Sequence, residues 1–267
     1  MSNPKILLIT GDELRHRYFA SQLAISIDLC GVIYEKKANK HERTDYGENG
    51  NKIIAEHFSQ RTLTEKQDFG NQVPLPVHIP VQHVGTTKSN TLEMFEWIKS
   101  IQPDMIQLYG SSIIKDHILD AYKNKVLNVH LGLSPYYRGS GTNFWPLVDK
   151  CVSCVGATIH LAVLEADAGG VLHQVRPITD QNDNIHHLGN KTIMAALKAL
   201  PKVINAYYNK QLYPKQQDLA IGKLCLRNDL KPDAIVDMYK SVQEGLISEY
   251  FQNKEILDKE YPIIEQI

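Results

Sequence analysis

Two kinds of hydrophobic pattern alternate along the first three quarters of the chain. One is a short unbroken apolar run closed by glycine or a turn, as strands covered on both faces require. The other is an apolar residue every three or four positions, the mark of an amphipathic helix. Ile6 to Gly11, Ile27 to Tyr34 and Asp104 to Gly110 are runs of the first kind. Val126 to His130 is another, and it stops abruptly, because Gly132, Pro135 and Gly139 forbid a helix straight after it. Helices are predicted from Asp12, over Ile53 to Gln67, over Asn90 to Ser100 on the spacing of Leu92, Phe95 and Ile98, over His117 to Tyr122, and over Asn143 to Leu147. Strands and helices in alternation predict an α/β fold with a mostly parallel sheet.

Farther along, Gly156 to Val163 and Val171 to Ile178 read as strands on either side of the turn Glu165-Ala166-Asp167-Ala168-Gly169-Gly170. Asp183 or Asn184 can cap a long helix striped by Ile193, Leu197, Leu200, Ile204 and Tyr207, which Pro201 is expected to kink. Val77 to Val81 is predicted as a short strand, and the polar stretch Lys36 to Lys52 as a mobile surface loop. Beyond Lys210 the character changes, with a strand over Gly222 to Leu226, a helix over Pro232 to Gly245, and a weakly patterned tail over Gln252 to Ile267. The chain is therefore divided into a core, 1–210, and a small C-terminal region, 211–267, for substrate binding or dimerisation.

Composition narrows the classes. Of 267 residues, 43% are hydrophobic and 22% charged, ordinary for a globular protein, and the net charge of −1 makes no case for wrapping nucleic acid or coating a membrane. No apolar run approaches the roughly 20 residues of a membrane span, and the first residues lack a signal-peptide pattern, so a cytoplasmic location is expected. The four cysteines fit free thiols. Cys151-Val152-Ser153-Cys154 is a lone CxxC with no second pair to complete a zinc site, and it reads as a strand entering the core. No metal is expected. Gly11 stands alone, without the GxGxxG pattern that dinucleotides need. Arg15, His16 and Arg17 follow it, either as contacts to an anionic substrate or as a solvated helix face.

Asn128 and His130, two apart on a strand, project from one face at its carboxyl end, where open α/β sheets bind ligands. Asp167 lies in a turn followed closely by glycines. A neutral histidine can accept a proton from a nucleophile, an amide can donate to an oxygen turning negative, and a carboxylate can orient the imidazole. No serine nucleophile stands in a GxSxG turn. The trio thus describes acyl transfer to a nucleophile that the substrate brings.

Asn128-Val129-His130, Ser134-Pro135-Tyr136-Tyr137-Arg138-Gly139, Gly156-Ala157-Thr158-Ile159-His160 and Asp167-Ala168-Gly169-Gly170, in this order and spacing, resemble the formyltransferases that use N10-formyltetrahydrofolate. The resemblance implies a Rossmann-like formyltransferase core that passes a formyl group to an amine. By that resemblance Asn128 holds the formyl oxygen, His130 helps deprotonate the amine, and Asp167 moves protons and sets the charge of His130. The pterin pocket falls around Leu108, Tyr109, Gly110, Ser111 and Ile113 and beside Glu165. Two departures bear on the substrate. The acidic start after Gly11 suits the phosphate of glycinamide ribonucleotide poorly, and the short C-terminal region disfavours initiator methionyl-tRNA. What remains resembles bacterial sugar N-formyltransferases of surface-polysaccharide synthesis, acting on a nucleotide-linked amino sugar. Arg17, Tyr136, Tyr137 and Arg138 are the expected sugar or phosphate contacts, and a homodimer is left open. Another small amine as acceptor, a formyltetrahydrofolate hydrolase and a folate-binding module without turnover are the competing readings.

Overall fold

A computed structural model describes residues 3–37 and 44–267. Its elements run β1 (Lys5–Gly11), α1 (Leu14–Ser26), β2 (Asp28–Glu35), α2 (Gly47–Phe69), β3 (Val81–Val84), α3 (Leu92–Ile101), β4 (Met105–Tyr109), α4 (Asp116–Ala121) and β5 (Val126–His130). After them come β6 (Tyr137–Gly139), α5 (Trp145–Val148), β7 (Ala157–Leu161), β8 (Val171–Val175), α6 (Ile185–Tyr208), β9 (Lys223–Cys225), α7 (Pro232–Gln243) and α8 (Leu246–Glu260). Seven strands form one sheet in the order β3-β2-β1-β4-β5-β7-β8, parallel as far as β5 and antiparallel from β5 to β8. This is the predicted Rossmann-like arrangement, and β6 pairs with β9 in a separate two-stranded ribbon.

The unbroken apolar runs are explained by burial on both faces. Ile6 and Leu8 join Phe19, Leu23, Leu200 and Ile204 under α1 and α6. Leu7 and Ile9 point the other way, to Ile98, Ile106 and Ile118 under α3 and α4. The chain changes direction across the sheet between β1 and β4, which opens a crevice at their carboxyl ends. Here His16 fills it. A Cβ on either Gly11 or Gly110 would come within 2.5 Å of the His16 ring, so the two glycines make room for an imidazole. His16 is therefore a buried plug, and burial holds it well below the ordinary histidine pKa.

Several expectations need correction. Helix α2 already begins at Gly47, so the second part of the predicted 36–52 loop is helical, while residues 38–43 lie outside the described residues. The third strand is Val81–Val84 rather than Val77 to Val81, since prolines deny the earlier segment ladder donors. Helix α1 starts at Leu14, after Glu13, and has no acidic residue in its first turn. Asn184 caps α6 as expected, and the helix continues through Pro201 to Tyr208. Val152–Cys154 is a 3₁₀ turn, not a strand. The tail from Gln252 continues α8 and then lies along β8, exchanging hydrogen bonds between Gln174 and Ile264. α7 and α8 bury Met238, Ile247 and Tyr250 against Leu147, Val152 and Leu188, so residues beyond 210 share a hydrophobic cluster with the core.

Candidate active site

Strand β5 ends with Asn128 and His130 on one face, and the turn after β7 brings Asp167 to them. Asp167 adopts φ +53°, in the left-handed region, where a non-glycine residue is uncommon. Its Oδ2 lies 3.2 Å from His130 Nδ1 and accepts from the Gly139 N–H at 2.9 Å. Its Oδ1 accepts from Asn128 Nδ2 at 3.2 Å and lies 3.4 Å from His160 Nε2. Three of these four partners precede Asp167 by 28 residues or more, so the carboxylate ties three separate segments together.

The two histidines differ. His160 Nδ1 faces the Leu161 carbonyl at 2.8 Å, and a carbonyl only accepts, so Nδ1 carries the hydrogen. In the neutral ring Nε2 then accepts from the Asn128 amide at 3.1 Å, which fixes the plane of that amide. His130 sits between two acceptors, the Asp167 carboxylate and the Tyr137 carbonyl, the latter 3.0 Å from Nε2. Burial lowers its pKa, outweighing Asp167, which raises it. The ring therefore rests neutral, yet both nitrogens face groups that would stabilise a proton once it arrived. Burial by itself would raise the Asp167 pKa, but His130, His160 and the Gly139 N–H outweigh it and hold the carboxyl below the usual range.

Two supports of this constellation were not legible beforehand, one a glycine and one a distant amide. A Cβ on Gly132 would lie 2.6 Å from both His130 Nε2 and Thr142 Cβ. Gly132→Ala is expected to displace His130 and to cost about 1–3 kcal/mol of stability. Urea unfolding checks the second effect and turnover the first; a variant unchanged in both would show that the ring has room to spare. Gln217 donates from Nε2 to the carbonyls of Asp167, at 2.9 Å, and Gly169, at 2.6 Å. It thereby pins the turn that carries the carboxylate. Gln217→Leu is expected to lower turnover by about tenfold or more, because small misplacements of reacting groups are costly. A Gln217→Leu enzyme with wild-type kcat would exclude this support.

The constellation opens into a cleft of about 920 Å³. Of the expected pterin residues, Leu108, Tyr109, Gly110, Ser111 and Ile113 line it, whereas Glu165 does not; Glu165 is exposed and pairs with Arg138 at 3.3 Å. None of the expected sugar contacts lines the cleft. Arg17 lies over the Tyr34 ring and donates to the Asp12 carbonyl. Tyr136 donates to the Pro262 carbonyl, Tyr137 to Asp149, and Arg138 to Glu165. The cleft is lined instead by Arg15, His57, Arg61, His186 and Asn190, from α1, α2 and α6. Glu65 accepts from Arg15 Nη1 and Arg61 Nε, both at 2.9 Å. Among the described residues no three His, Cys, Asp or Glu side chains are grouped as a metal site, and no helix is long and apolar enough to cross a membrane.

Residues 37–204 match the formyl transferase family. The chain belongs to that family. Formyltetrahydrofolate deformylase 1, mitochondrial, of Arabidopsis thaliana is 29% identical over 138 residues, 51% of this chain and 42% of that protein. GDP-perosamine N-formyltransferase of Brucella melitensis is 29% identical over 120 residues, 45% of this chain and 46% of that protein. The chain thus spans less than half the length of either relative. A crystal structure of an N-formyltransferase from Helicobacter canadensis, in complex with folinic acid and dTDP-3-aminofucose, shares the fold with TM-score 0.53 and 19% identity. That likeness covers 84% of this chain and 71% of the other.

Proposed function

We propose that this formyl transferase moves the formyl group of N10-formyltetrahydrofolate to the amine of a nucleotide-linked amino sugar. The observation that carries the reading is the closed contact of Asn128, His130 and Asp167 in the lining of a cleft large enough for two substrates. The amine nitrogen attacks the formyl carbon, whose oxygen draws the Nδ2 hydrogens that Asn128 gives at rest to Asp167 and His160. The amine proton passes to the neutral His130 and Asp167 pair, the carbon–N10 bond breaks, and N10 leaves with a proton.

The segment Leu108, Tyr109, Gly110, Ser111 and Ile113 is assigned to the pterin, and the apolar Val163 and Leu224 also line the cleft. The acceptor is assigned to the side of α1, α2 and α6. Among the described residues Arg61 gives only Nε to Glu65, so its two outer nitrogens are left for phosphate oxygens. Tyr109 and Asn143 line the same cleft, and the Tyr109 hydroxyl and the Asn143 amide nitrogen are buried without a partner among the described residues, as groups that await a ligand are. Residues 211–267 take the expected role in substrate binding, since Leu224, Leu226 and Arg227 line the cleft and Tyr239 of α7 hydrogen-bonds His57 and His186 there. Sugar N-formyltransferases among the similar proteins support the acceptor class.

The test is turnover of N10-formyltetrahydrofolate against a panel of nucleotide-linked amino sugars, glycinamide ribonucleotide and no acceptor. Acceleration by an amino sugar supports the proposal. Acceleration by glycinamide ribonucleotide alone reassigns the acceptor, and formate release that needs no amine makes the protein a hydrolase.

A further inference from the structure

The CxxC segment has no role in the proposed formyl transfer, yet its two thiols are held side by side. A 3₁₀ turn over Val152–Cys154, closed by the Cys154 N–H donating to the Cys151 carbonyl at 3.0 Å, carries both side chains to one side. Their sulfurs stand 3.0 Å apart. Cys151 is half-buried, whereas Cys154 is fully buried against Tyr137 and Cys225. Cys151 is thus the more accessible residue of the pair and Cys154 the covered one, and access is one of the factors that set which thiol enters exchange.

We propose that Cys151 and Cys154 form a redox-active dithiol that exchanges reversibly with small disulfides such as oxidised glutathione. The surroundings favour Cys151 as the entering sulfur. Hydrogen bonds from Cys154 and from the Tyr261 hydroxyl, against the effect of burial, draw the Cys151 thiol down to about 7, while the shared hydrogen and burial push Cys154 up. The Cys151 thiolate attacks one sulfur of the small disulfide, whose S–S bond breaks and whose other half leaves as a thiolate. Cys154 then gives its proton to water and attacks the Cys151 sulfur, expelling the second thiolate. The protein loses two hydrogens as two protons and two electrons, and the small disulfide leaves as two thiols.

The folded chain is equilibrated over a series of reduced-to-oxidised glutathione ratios, quenched in acid, and labelled with a maleimide under denaturing conditions. Fully reduced protein takes four labels, one for each cysteine. The proposal expects a reversible fall to two, with Cys151 and Cys154 joined in one proteolytic peptide. Cys154→Ser is expected to trap glutathione on Cys151, and Cys30→Ser and Cys225→Ser to leave the pair's behaviour unchanged. Four labels at every ratio, a bond that includes Cys225, or a disulfide between chains would overturn it. The wild-type labelling decides the matter even where Cys154→Ser fails to fold, because it needs no variant.

Discussion

Replacing Asp167 with asparagine is expected to cut turnover by about 10³–10⁴-fold, the scale seen when the carboxylate that orients a catalytic histidine becomes an amide. Four donors or ring nitrogens converge on this carboxylate, from Asn128, His130, Gly139 and His160. A carboxylate accepts at both oxygens, but an amide accepts at one and donates at the other. Whichever way the substituted amide turned, an N–H would face either the Gly139 N–H or the Asn128 amide. The proton reaching His130 would also lose its counter-charge. Affinity for the folate should change far less than kcat, because the residues assigned to the pterin lie on the segment 108–113. Steady-state kinetics with the N10-formyl donor checks the split, and thermal unfolding confirms that the variant is folded. Turnover within tenfold of wild type would remove Asp167 from the chemistry.

The Asn128 and His130 pair was legible because a strand's period of two is simple and a histidine inside an apolar run needs a reason. Asp167 was legible from the glycines after it. Arg17, Tyr136, Tyr137 and Arg138 miss the cleft for one reason, that nearness in sequence does not place side chains together. Tyr136, Tyr137 and Arg138 follow the reactive strand closely, but β6 pairs with β9 and sends to the site only backbone, the Tyr137 carbonyl and the Gly139 N–H. Arg17 is two positions from Arg15, about 200° round a helix, so Arg15 meets the cleft and Arg17 does not. Gln217 was invisible because it is 50 residues from the turn it holds, in a segment without periodicity. α8 buries only Ile247 and Tyr250, too few to mark a helical stripe. His16 looked like part of a basic cluster, and only the facing glycines at the end of β1 and just after β4 show it to be a plug.

Acidification from pH 7 to pH 5 should weaken the fold through its buried histidines. His16, His130, His173 and His186 are all held below the ordinary histidine pKa, each chiefly by burial. Below about pH 6.5 the unfolded chain binds protons that the folded chain refuses, so stability falls as pH drops. For His186, lowered to about 3, the neighbouring His57, Arg61 and His187 add to the effect of burial. Between an unfolded value near 6.5 and pH 5 this one group removes about 2 kcal/mol, and the other three add to it. Asp167 works in another window. Its lowered pKa stabilises the fold fully above about pH 4, and that contribution is lost only as pH falls further, through the folded value. Urea unfolding at pH 7 and pH 5 should therefore differ by about 2 kcal/mol or more, a large share of the 5–15 kcal/mol typical of a domain. His186→Gln retains a partner for the Tyr239 hydroxyl and should recover about 2 kcal/mol of that loss. Equal stability at the two pH values would mean that these histidines take up protons in the folded chain as readily as in the unfolded one.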